Sequence, residues 1–310
     1  MEESKSISSI WSKIGAYIAL MRLDRPIGIY LLLWPTLIAL WIAGAGKPDA
    51  IVVAVFLLGV VLMRSVGCVI NDLVDKDFDG FVVRTNNRPL ATGLLRQREA
   101  FILLICLIGA SFLLVLTLNE PTQWMSGIAL FLAILYPFTK RHTHFAQVFL
   151  GAAFGWAIPM AFVALRQDIP WQAFALYGAV LLWAVAYDTQ YAMADREDDV
   201  KLGLKSTAIL FGSADRLIIV LLQIIVLSVF IGLGFNLEMG TLYFIGPWSG
   251  FIFVAYQYQL TKNREPENCL RAFRNNHFLG VTLFIFLWLD YEYRSGAFYL
   301  GLFKGFLNTA

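Results

Sequence analysis

Long apolar runs alternate with short polar segments along most of this chain, giving nine apolar runs in all. A helix rises about 1.5 Å per residue, so about 20 apolar residues cross a hydrocarbon core of about 30 Å. The pattern therefore predicts an all-α, polytopic membrane protein with nine candidate spans. These spans cover residues 27–43, 50–70, 100–118, 121–138, 145–165, 171–193, 217–235 and 240–260, and the ninth begins near residue 276.

The ninth run gives the weakest of these nine predictions. Its continuous apolar part, residues 278–289, is short, and Asp290 and Arg294 interrupt the pattern directly after it. Tyrosines prefer the membrane interface, so Tyr291 and Tyr293 are suited to anchor one end of a span. A re-entrant or interfacial segment is the alternative that the pattern leaves open.

The amino-acid composition supports a membrane location and a single domain. Of the 310 residues, 59% are hydrophobic and only 15% are charged, whereas soluble domains carry about 25% charged residues. No linker divides the chain, so residues 1–310 are expected to form one domain surrounded by membrane lipid. The cysteines Cys68, Cys106 and Cys269 have neither a disulfide-framework nor a zinc-site spacing. Neither a nucleic-acid partner nor an obligate protein partner is indicated.

The distribution of Lys and Arg predicts the orientation of the spans. With a cytoplasmic N-terminus, 19 of the 24 Lys and Arg residues fall in cytoplasmic segments, which satisfies the positive-inside rule. Residues 1–24 are then a cytoplasmic or interfacial segment, typical of a short amphipathic helix on the membrane surface. They lack the layout of a signal or transit peptide, which favours a bacterial inner (cytoplasmic) membrane over an organelle.

Two acidic stretches interrupt the apolar pattern, each at the predicted cytoplasmic end of a span. Residues 67–89 follow the second span, and residues 186–212 end the sixth, four spans later. Ionisable groups at a membrane edge are candidates for a functional site. We therefore expect Asp-rich motifs with basic cap loops over residues 67–98 and 186–216, related by a weak duplication of a four-helix unit.

Helical spacing places three polar groups of each stretch on one face. At about 100° per residue, positions four or seven apart deviate only slightly from a line along the helix. Tyr191 lies near the face in the second stretch. Asp72, Asp77 and Asp198 point elsewhere or support the others. The residues that share a face are Asn71, Asp75 and Asp79 in the first stretch, and Asp188, Asp195 and Asp199 in the second.

Two such helix ends facing each other offer the ligands of a hard divalent cation. Carboxylates repel one another unless a cation lies among them, and Mg²⁺ is held by a few carboxylates together with phosphate oxygens. Basic residues beside both stretches suit a multiply charged anion. The combination predicts a Mg²⁺-bridged diphosphate site, with helix caps or solvated loop residues as the simpler alternative. The basic residues are Arg84, Arg88, Lys140, Arg141, Lys201 and Lys205.

Nine short segments carry a resemblance to a known family. They are residues 23–28 (LDRPIG), 67–72 (GCVIND), 84–85 (RT), 88–90 (RPL), 136–137 (YP), 140–141 (KR), 187–193 (YDTQYAM), 205–207 (KST) and 211–212 (FG). Together they resemble the UbiA family of intramembrane aromatic prenyltransferases, and within it the branch that acts on 4-hydroxybenzoate. The likeness extends by motif from residue 23 to residue 212 and continues as a pattern of spans to the end of the chain.

The resemblance implies nine helices around a central cavity, Mg²⁺ as the cofactor, and polyprenyl diphosphate and 4-hydroxybenzoate as substrates. The implied reaction places the polyprenyl group on the ring carbon ortho to the hydroxyl, an early step of ubiquinone biosynthesis. Metal-binding and catalytic roles fall on Asn71, Asp75, Asp79, Asp195 and Asp199. Substrate-binding roles fall on Arg25, Arg84, Arg88, Lys140, Arg141, Asp188, Tyr191 and Lys205.

The carboxylate of the acceptor requires a cation, and the resemblance and its position favour Arg141. Arg25 and Arg22 are the alternatives. Arg64 is a further candidate, because an arginine within a span has to find a partner. For Arg64, however, a structural pair with an aspartate or with backbone carbonyls is the favoured interpretation.

Three other functions compete with this interpretation. A member of the same family can use another aromatic acceptor. A transporter or cation channel would line an ion path with acids, but such a path places them near the bilayer midplane rather than at one edge. A membrane phosphotransferase for lipid head groups also holds metals with aspartates, but on one stretch of chain rather than two.

Overall fold

The fold is described from a computed structural model over residues 13–79 and 85–296, with residues 77–79 described by their backbone alone. Within these ranges every regular element is a helix, which confirms the predicted all-α class. A short 3₁₀ turn, Gly212–Ala214, separates α9 from α10. The helices are residues 13–20 (α1), Ile27–Ala43 (α2), Ala50–Asp79 (α3), Gln97–Val115 (α4), Glu120–Thr139 (α5), Ala146–Gly155 (α6), Ala157–Arg166 (α7), Trp171–Lys201 (α8), Thr207–Phe211 (α9), Asp215–Asn236 (α10), Thr241–Leu260 (α11) and Pro266–Arg294 (α12).

Two helices continue well beyond the apolar runs that predicted them. α3 has 30 residues and α8 has 31, whereas the predicted spans end at residues 70 and 193. A helix satisfies its backbone hydrogen bonds internally, so it can leave an apolar layer without a turn. Both acidic stretches therefore begin as direct helical extensions of a span. This confirms the helical geometry on which their spacing argument depends.

The fifth apolar run is one membrane-capable stretch whose helix has a local break. α6 ends at Gly155 and α7 begins at Ala157, with Trp156 between them. Pro159 lies in the first turn of α7 and has no N–H to donate to the carbonyl of Gly155. Trp156 fixes the break, because its Nε1 donates to the backbone oxygen of Met125 in α5 at 3.0 Å.

Five helical stretches of the described chain are long and apolar enough to cross a membrane, judged by length and composition. The protein is therefore an integral membrane protein, as predicted. α8, α11 and α12 contain buried amides such as Gln190, Gln257 and Asn276, which lower their hydropathy. The five stretches are Ala50–Lys76, Gln97–Val115, Glu120–Thr139, Ala146–Arg166 and Thr207–Asn236, and α2 is a shorter apolar helix.

The N-terminal helix α1 lies against α3 and α4. Ala16 and Leu20 are buried in an apolar cluster with residues of those two helices. Lys13 Nζ donates to Glu99 Oε1 at 2.8 Å, and this hydrogen bond raises the pKa of Lys13 above its ordinary value. Ile14 is 42% exposed. α1 thus has apolar side chains that face the bundle and an apolar side chain that faces outward. This is the arrangement expected of an interfacial helix.

A connected group of buried amide side chains joins α8, α10, α11 and α12. The side-chain amides of Gln190 and Gln223 donate to Gln257 Oε1 at 2.9 and 2.6 Å. Asn276 Nδ2 donates to Gln190 Oε1 at 2.9 Å, and Asn276 Oδ1 accepts from Trp183 Nε1 at 2.9 Å. An unpaired polar group in apolar surroundings is costly, so these bonds specify how the four helices meet.

Replacement of Asn276 by leucine tests this amide group. The change leaves the Trp183 indole N–H and the Gln190 amide oxygen without a partner. Each unpaired buried group costs about 1–3 kcal/mol, so we expect the free energy of unfolding to fall by about 2 kcal/mol or more. The measurement is the melting temperature in detergent. Asn236→Leu is the control, because Asn236 is exposed and bonds only Gln172 there; an equal effect of both changes would contradict the prediction.

Candidate active site

A cavity of about 1070 Å³ lies among α2, α3, α5, α6 and α8. α3 lines it from Val55 to Asp72, a rise of about 26 Å at about 1.5 Å per residue. The wall is apolar around Val55 and Leu118 and becomes polar at Asn71 and Asp188. The cavity therefore suits a ligand with a long apolar part and a charged head.

Asp72 is buried at the polar end of the cavity, with 1% of its surface exposed. Arg22 Nη2 donates to its two carboxylate oxygens at 2.8 and 3.0 Å, and Arg88 Nη1 lies 3.1 Å from Oδ1. Two guanidinium groups compensate for the burial of this charge. Asp72 thereby ties the segment after α1 and the first cap loop to α3. From the sequence, Asp72 was placed off the shared face and Arg88 was assigned to substrate binding. The ion pair between Asp72 and Arg88 was not predicted.

The other predicted residues of the first stretch follow along the end of α3. Asn71 lines the cavity. Asp75 lies one turn further on, with 22% of its side chain exposed. The side chain of Asp79 and the whole of Arg84 lie outside the described residues, so their predicted roles are not addressed by the structure.

The loop after α5 joins the end of α3 to the loop after α8. Arg141 Nη2 donates to the backbone oxygen of Val74 at 2.8 Å and lies 3.9 Å from Asp75 Oδ1. On the other side, the backbone N–H of Lys205 donates to the backbone oxygen of Lys140 at 3.0 Å. The end of α3 and the loop after α8 are thereby both held to the loop after α5.

Within this loop, the basic side chain of Lys140 lines the cavity. Its Nζ lies 5.7 Å from the centroid of the Tyr136 ring. The electrostatic effect of Tyr136, followed by those of Asp75 and Asp188, raises the pKa of Lys140 above its ordinary value. Lys140 is therefore a permanent positive charge near physiological pH, suited to a phosphate oxygen.

Residues of the second stretch divide between the cavity and the helix end. Asp188 and Tyr191 line the cavity. The Tyr191 ring meets that of Phe273 edge to face, with centroids 5.1 Å apart. Asp195 and Asp199 lie about two and three turns beyond Asp188, on the part of α8 that extends past its last buried residue.

Three further arginines line the cavity, Arg25, Arg64 and Arg274. Arg25 is largely exposed, with 79% of its side chain accessible and its Nε 3.6 Å from Asp24 Oδ2. Arg64 lies within α3, and its guanidinium carbon is 5.7 Å from the centroid of Phe154. Its Nε is buried without a hydrogen-bond partner, and no carboxylate among the described residues pairs with Arg64. A Cβ atom on Gly28 would come within 2.3 Å of that Nε, so glycine makes room for the arginine.

These features coincide with a match to a known family. The model of the UbiA prenyltransferase family matches residues 32–289. The chain belongs to the UbiA prenyltransferase family. A protein of Methylococcus capsulatus named 4-hydroxybenzoate octaprenyltransferase is 54% identical over 283 residues, 91% of this chain and 97% of the relative. One of the same name from Yersinia enterocolitica is 51% identical over 288 residues, 92% of this chain and 99% of the relative.

Solved structures share the UbiA fold with this chain. A UbiA homologue from Aeropyrum pernix superposes with a TM-score of 0.74 at 22% identity, covering 85% of this chain and 97% of the other. A UbiA homologue from Archaeoglobus fulgidus, bound to GPP and Mg²⁺, gives a TM-score of 0.68 at 18% identity, covering 89% and 99%. The prediction of the family from nine short motifs is thereby confirmed.

The described acids of this UbiA member do not by themselves form a closed metal cage. Among the side chains that the structure describes, no three of His, Cys, Asp or Glu lie close enough together to hold a metal ion. Mg²⁺, however, takes only one or two carboxylates in most sites and completes its shell with water and phosphate oxygens. Asp75, Asp195 and Asp199 offer oxygen donors alone, which fits an ion shared with a diphosphate rather than a closed protein cage.

Replacement of Asp72 by asparagine tests the ion pairs at the cavity end. The change removes the charge that Arg22 and Arg88 share, so we expect the segment after α1 to open more often. Limited trypsin digestion measures this, since the bond after Arg22 becomes accessible, and cleavage there should accelerate several-fold. Asp24→Asn is the control, because Asp24 pairs with an exposed arginine 3.6 Å away. Equal cleavage rates in wild type and Asp72→Asn would refute the assignment.

Proposed function

We propose that this protein transfers a polyprenyl group from polyprenyl diphosphate to 4-hydroxybenzoate, at the ring carbon ortho to the hydroxyl. The reaction depends on Mg²⁺ and is an early step of ubiquinone biosynthesis. The observation that carries the proposal is a cavity that combines an apolar wall with a polar end, in a UbiA chain 54% identical to a relative named for this activity.

The two parts of the cavity match the two parts of the donor. The apolar wall along α3 takes the polyprenyl tail, because burial of each CH₂ group contributes about 0.8 kcal/mol. The polar end takes the diphosphate, for which the charged Lys140 is already in place. The basic residues predicted to suit the diphosphate are Arg84, Arg88, Lys140, Arg141, Lys201 and Lys205.

Mg²⁺ would be held by Asp75, Asp79, Asp195 and Asp199, assisted by Asn71. When bound, the ion supplies electrostatic stabilisation for the charge that grows on the departing diphosphate. The homologue from Archaeoglobus fulgidus that is bound to GPP and Mg²⁺ supports this assignment. We expect these residues to reach one site, because α3 and α8 both continue past their apolar runs.

The remaining chemistry depends on orientation and on exclusion of water. The allylic carbon–oxygen bond breaks, and its electron pair leaves with the diphosphate. The ring carbon of the acceptor supplies the electrons of the new carbon–carbon bond, and loss of its proton restores aromaticity. The loops joined by Arg141 and Lys205 keep water from the allylic cation, while Asp188 and Tyr191 shape the pocket for the ring.

Arg64 is the arginine that we propose for the acceptor carboxylate. Arg22 is bound to Asp72, and Arg141 donates to the backbone oxygen of Val74. Arg64 instead faces the cavity from within α3 without a carboxylate partner in the described chain. A cation in such surroundings needs an anion, and a bound benzoate group supplies one. This proposal differs from the sequence-based preference, which favoured Arg141 for the carboxylate and a structural pair for Arg64.

The proposed topology has nine spans with a cytoplasmic N-terminus. Helices or helix pairs of the described chain lie at each of the nine predicted positions, with α6 and α7 together forming the fifth. The loops that join α3 to α4, α5 to α6 and α11 to α12 each carry at least two Lys or Arg residues, and Lys201, Lys205 and Arg216 lie at or between the facing ends of α8 and α10. We place the active site on the cytoplasmic side of a bacterial inner membrane, within one domain over residues 1–310.

The activity itself is tested with membranes, one polyprenyl diphosphate and a panel of aromatic acceptors. We expect product with 4-hydroxybenzoate, its complete loss when Mg²⁺ is chelated, and a drop in rate of about 100-fold or more for Asp75→Ala and for Asp195→Ala. Activity confined to another acceptor would reject 4-hydroxybenzoate. Retained activity in either variant would reject that residue as a metal ligand.

The assignment of Arg64 predicts a selective change in acceptor binding. A charge-assisted bidentate pair contributes about 1.5–3 kcal/mol, so Arg64→Ala should raise the KM for 4-hydroxybenzoate by about 10- to 100-fold. The KM for the donor should stay the same. Gly28→Ala should act in the same direction, because its new Cβ displaces the arginine. Gly59→Ala is the control, since Gly59 also lines the cavity and has open space around its Cα. An equal rise in both KM values would argue against a carboxylate contact.

A further inference from the structure

A buried carboxylate outside the cavity connects four segments beside the second acidic stretch. Asp215, the first residue of α10, has no exposed surface. Arg264, in the loop between α11 and α12, donates to it through Nε at 3.0 Å and Nη2 at 2.9 Å. Arg196 of α8 donates to it through Nη2. The same Arg264 Nη2 bonds the backbone oxygen of Ser213 at 2.8 Å, in the turn before α10.

Arg196 occupies a special position on α8, because it is flanked by the proposed metal ligands Asp195 and Asp199. Successive side chains of a helix point about 100° apart, so Arg196 leaves the helix in a different direction from Asp195. Its Nη2 also donates to the backbone oxygen of Ala208 in α9 at 2.6 Å. One arginine thus fastens the acid-bearing turn of α8 to the segment that begins α10.

The end of α8 depends on this attachment. Met193 is the last buried residue of α8, and the helix continues to Lys201. These two extra turns carry Asp195, Glu197, Asp198 and Asp199, whose like charges repel one another. Arg196 gives this end a fully buried partner in the described structure. Without it, the last turns of α8 would lose an anchor to the rest of the bundle.

We propose that Asp215 is a positioning residue for the metal-binding end of α8: through Arg196 it sets the direction in which Asp195 and Asp199 face the cavity end. The proposal rests on the function proposed above, because it assumes that these two aspartates bind the cation. Asp215 itself touches neither the substrate nor the cation. Its charge holds Arg196 and Arg264 together, and those two arginines hold α8, α10 and the loop between α11 and α12 in register.

Neutralisation of the Asp215 carboxylate should lower the affinity for the cation, while the residues that bind the cation stay the same. Asp215→Asn keeps the size of the side chain but removes its charge and one acceptor oxygen. Arg196→Gln removes the attachment from the side of α8 and leaves the pair of Asp215 and Arg264 intact. In both variants Asp195 and Asp199 remain present but are held less firmly. We expect the cation to bind about tenfold more weakly, with saturation still reached at high concentration.

The experiment uses the full-length protein in detergent, with Mn²⁺ as the probe and inorganic diphosphate as the bridging anion. Electron paramagnetic resonance titration gives the dissociation constant of Mn²⁺ without any turnover, and the melting temperature is measured on the same samples. Asp290→Asn is the matched control. Asp290 is also buried, at 1% exposure, but it accepts from the backbone of Gly240 and Tyr243 at the start of α11, away from α8.

The expected result is a tenfold weaker Mn²⁺ affinity for Asp215→Asn and Arg196→Gln, and wild-type affinity for Asp290→Asn at a similar loss of melting temperature. Wild-type affinity in a folded Arg196→Gln protein would overturn the proposal, and that variant decides the matter if Asp215→Asn does not fold. Asp195→Asn separates the two hypotheses. Unchanged Mn²⁺ affinity in Asp195→Asn would reject the metal assignment itself. If Asp195→Asn loses Mn²⁺ affinity while Asp215→Asn and Arg196→Gln bind Mn²⁺ normally, only the positioning role is rejected.

Discussion

The cost of taking a charge out of water governs the arrangement of this protein. A carboxylate in an apolar layer is several kcal/mol less stable than in water unless a cation or hydrogen-bond donors compensate for it. The three fully buried acids of the described chain follow this rule. Asp72 and Asp215 each lie between two arginines, and Asp290 accepts from the backbone N–H groups that begin α11. All three lie near helix ends, where such donors are available.

The same constraint explains why α3 and α8 continue past their apolar runs. Acids that serve a cation and an anionic substrate need water nearby, but they also need a rigid support. α3 and α8 meet both needs by continuing past their apolar parts, so each acidic stretch inherits the direction of a packed span. The buried amides of Gln190, Gln257 and Asn276 then hold α8 against its neighbours within the bundle. The order of the acidic helix ends therefore depends on the packing of the apolar spans that carry them.

Much of the fold could be predicted because apolar runs and helical spacing are local properties of a sequence. The all-α class, the positions of the helices and the shared faces of the acidic stretches all follow from local periodicity. The partner of a charged side chain is not a local property. Arg22 meets Asp72 across 50 positions, and Arg264 meets Asp215 across 49. Asp72 was set aside because it is off the shared face, and that reasoning had no means of finding the two arginines.

Arg64 is a second residue whose surroundings are not local. An arginine within a span was expected to pair with an aspartate or with backbone carbonyls, but its Nε is buried without a hydrogen-bond partner in the described structure. The local signal that could have corrected this is Gly28 in the segment LDRPIG, where absence of a side chain makes room for the guanidinium. The break at Trp156 was missed for a related reason, because Pro159 marks a helix start as readily as it marks a kink.

The ion pair between Arg88 and Asp72 also has a consequence for turnover. An anion that recruits Arg88 must displace Asp72 or share the guanidinium with it, so the net gain in free energy is the difference between two ion pairs rather than one whole pair. If Arg88 binds diphosphate as proposed, Asp72 would neutralise the arginine again once the anion departs. The carboxylate would then be an internal competitor that weakens the hold on the product and shortens the time before the next cycle.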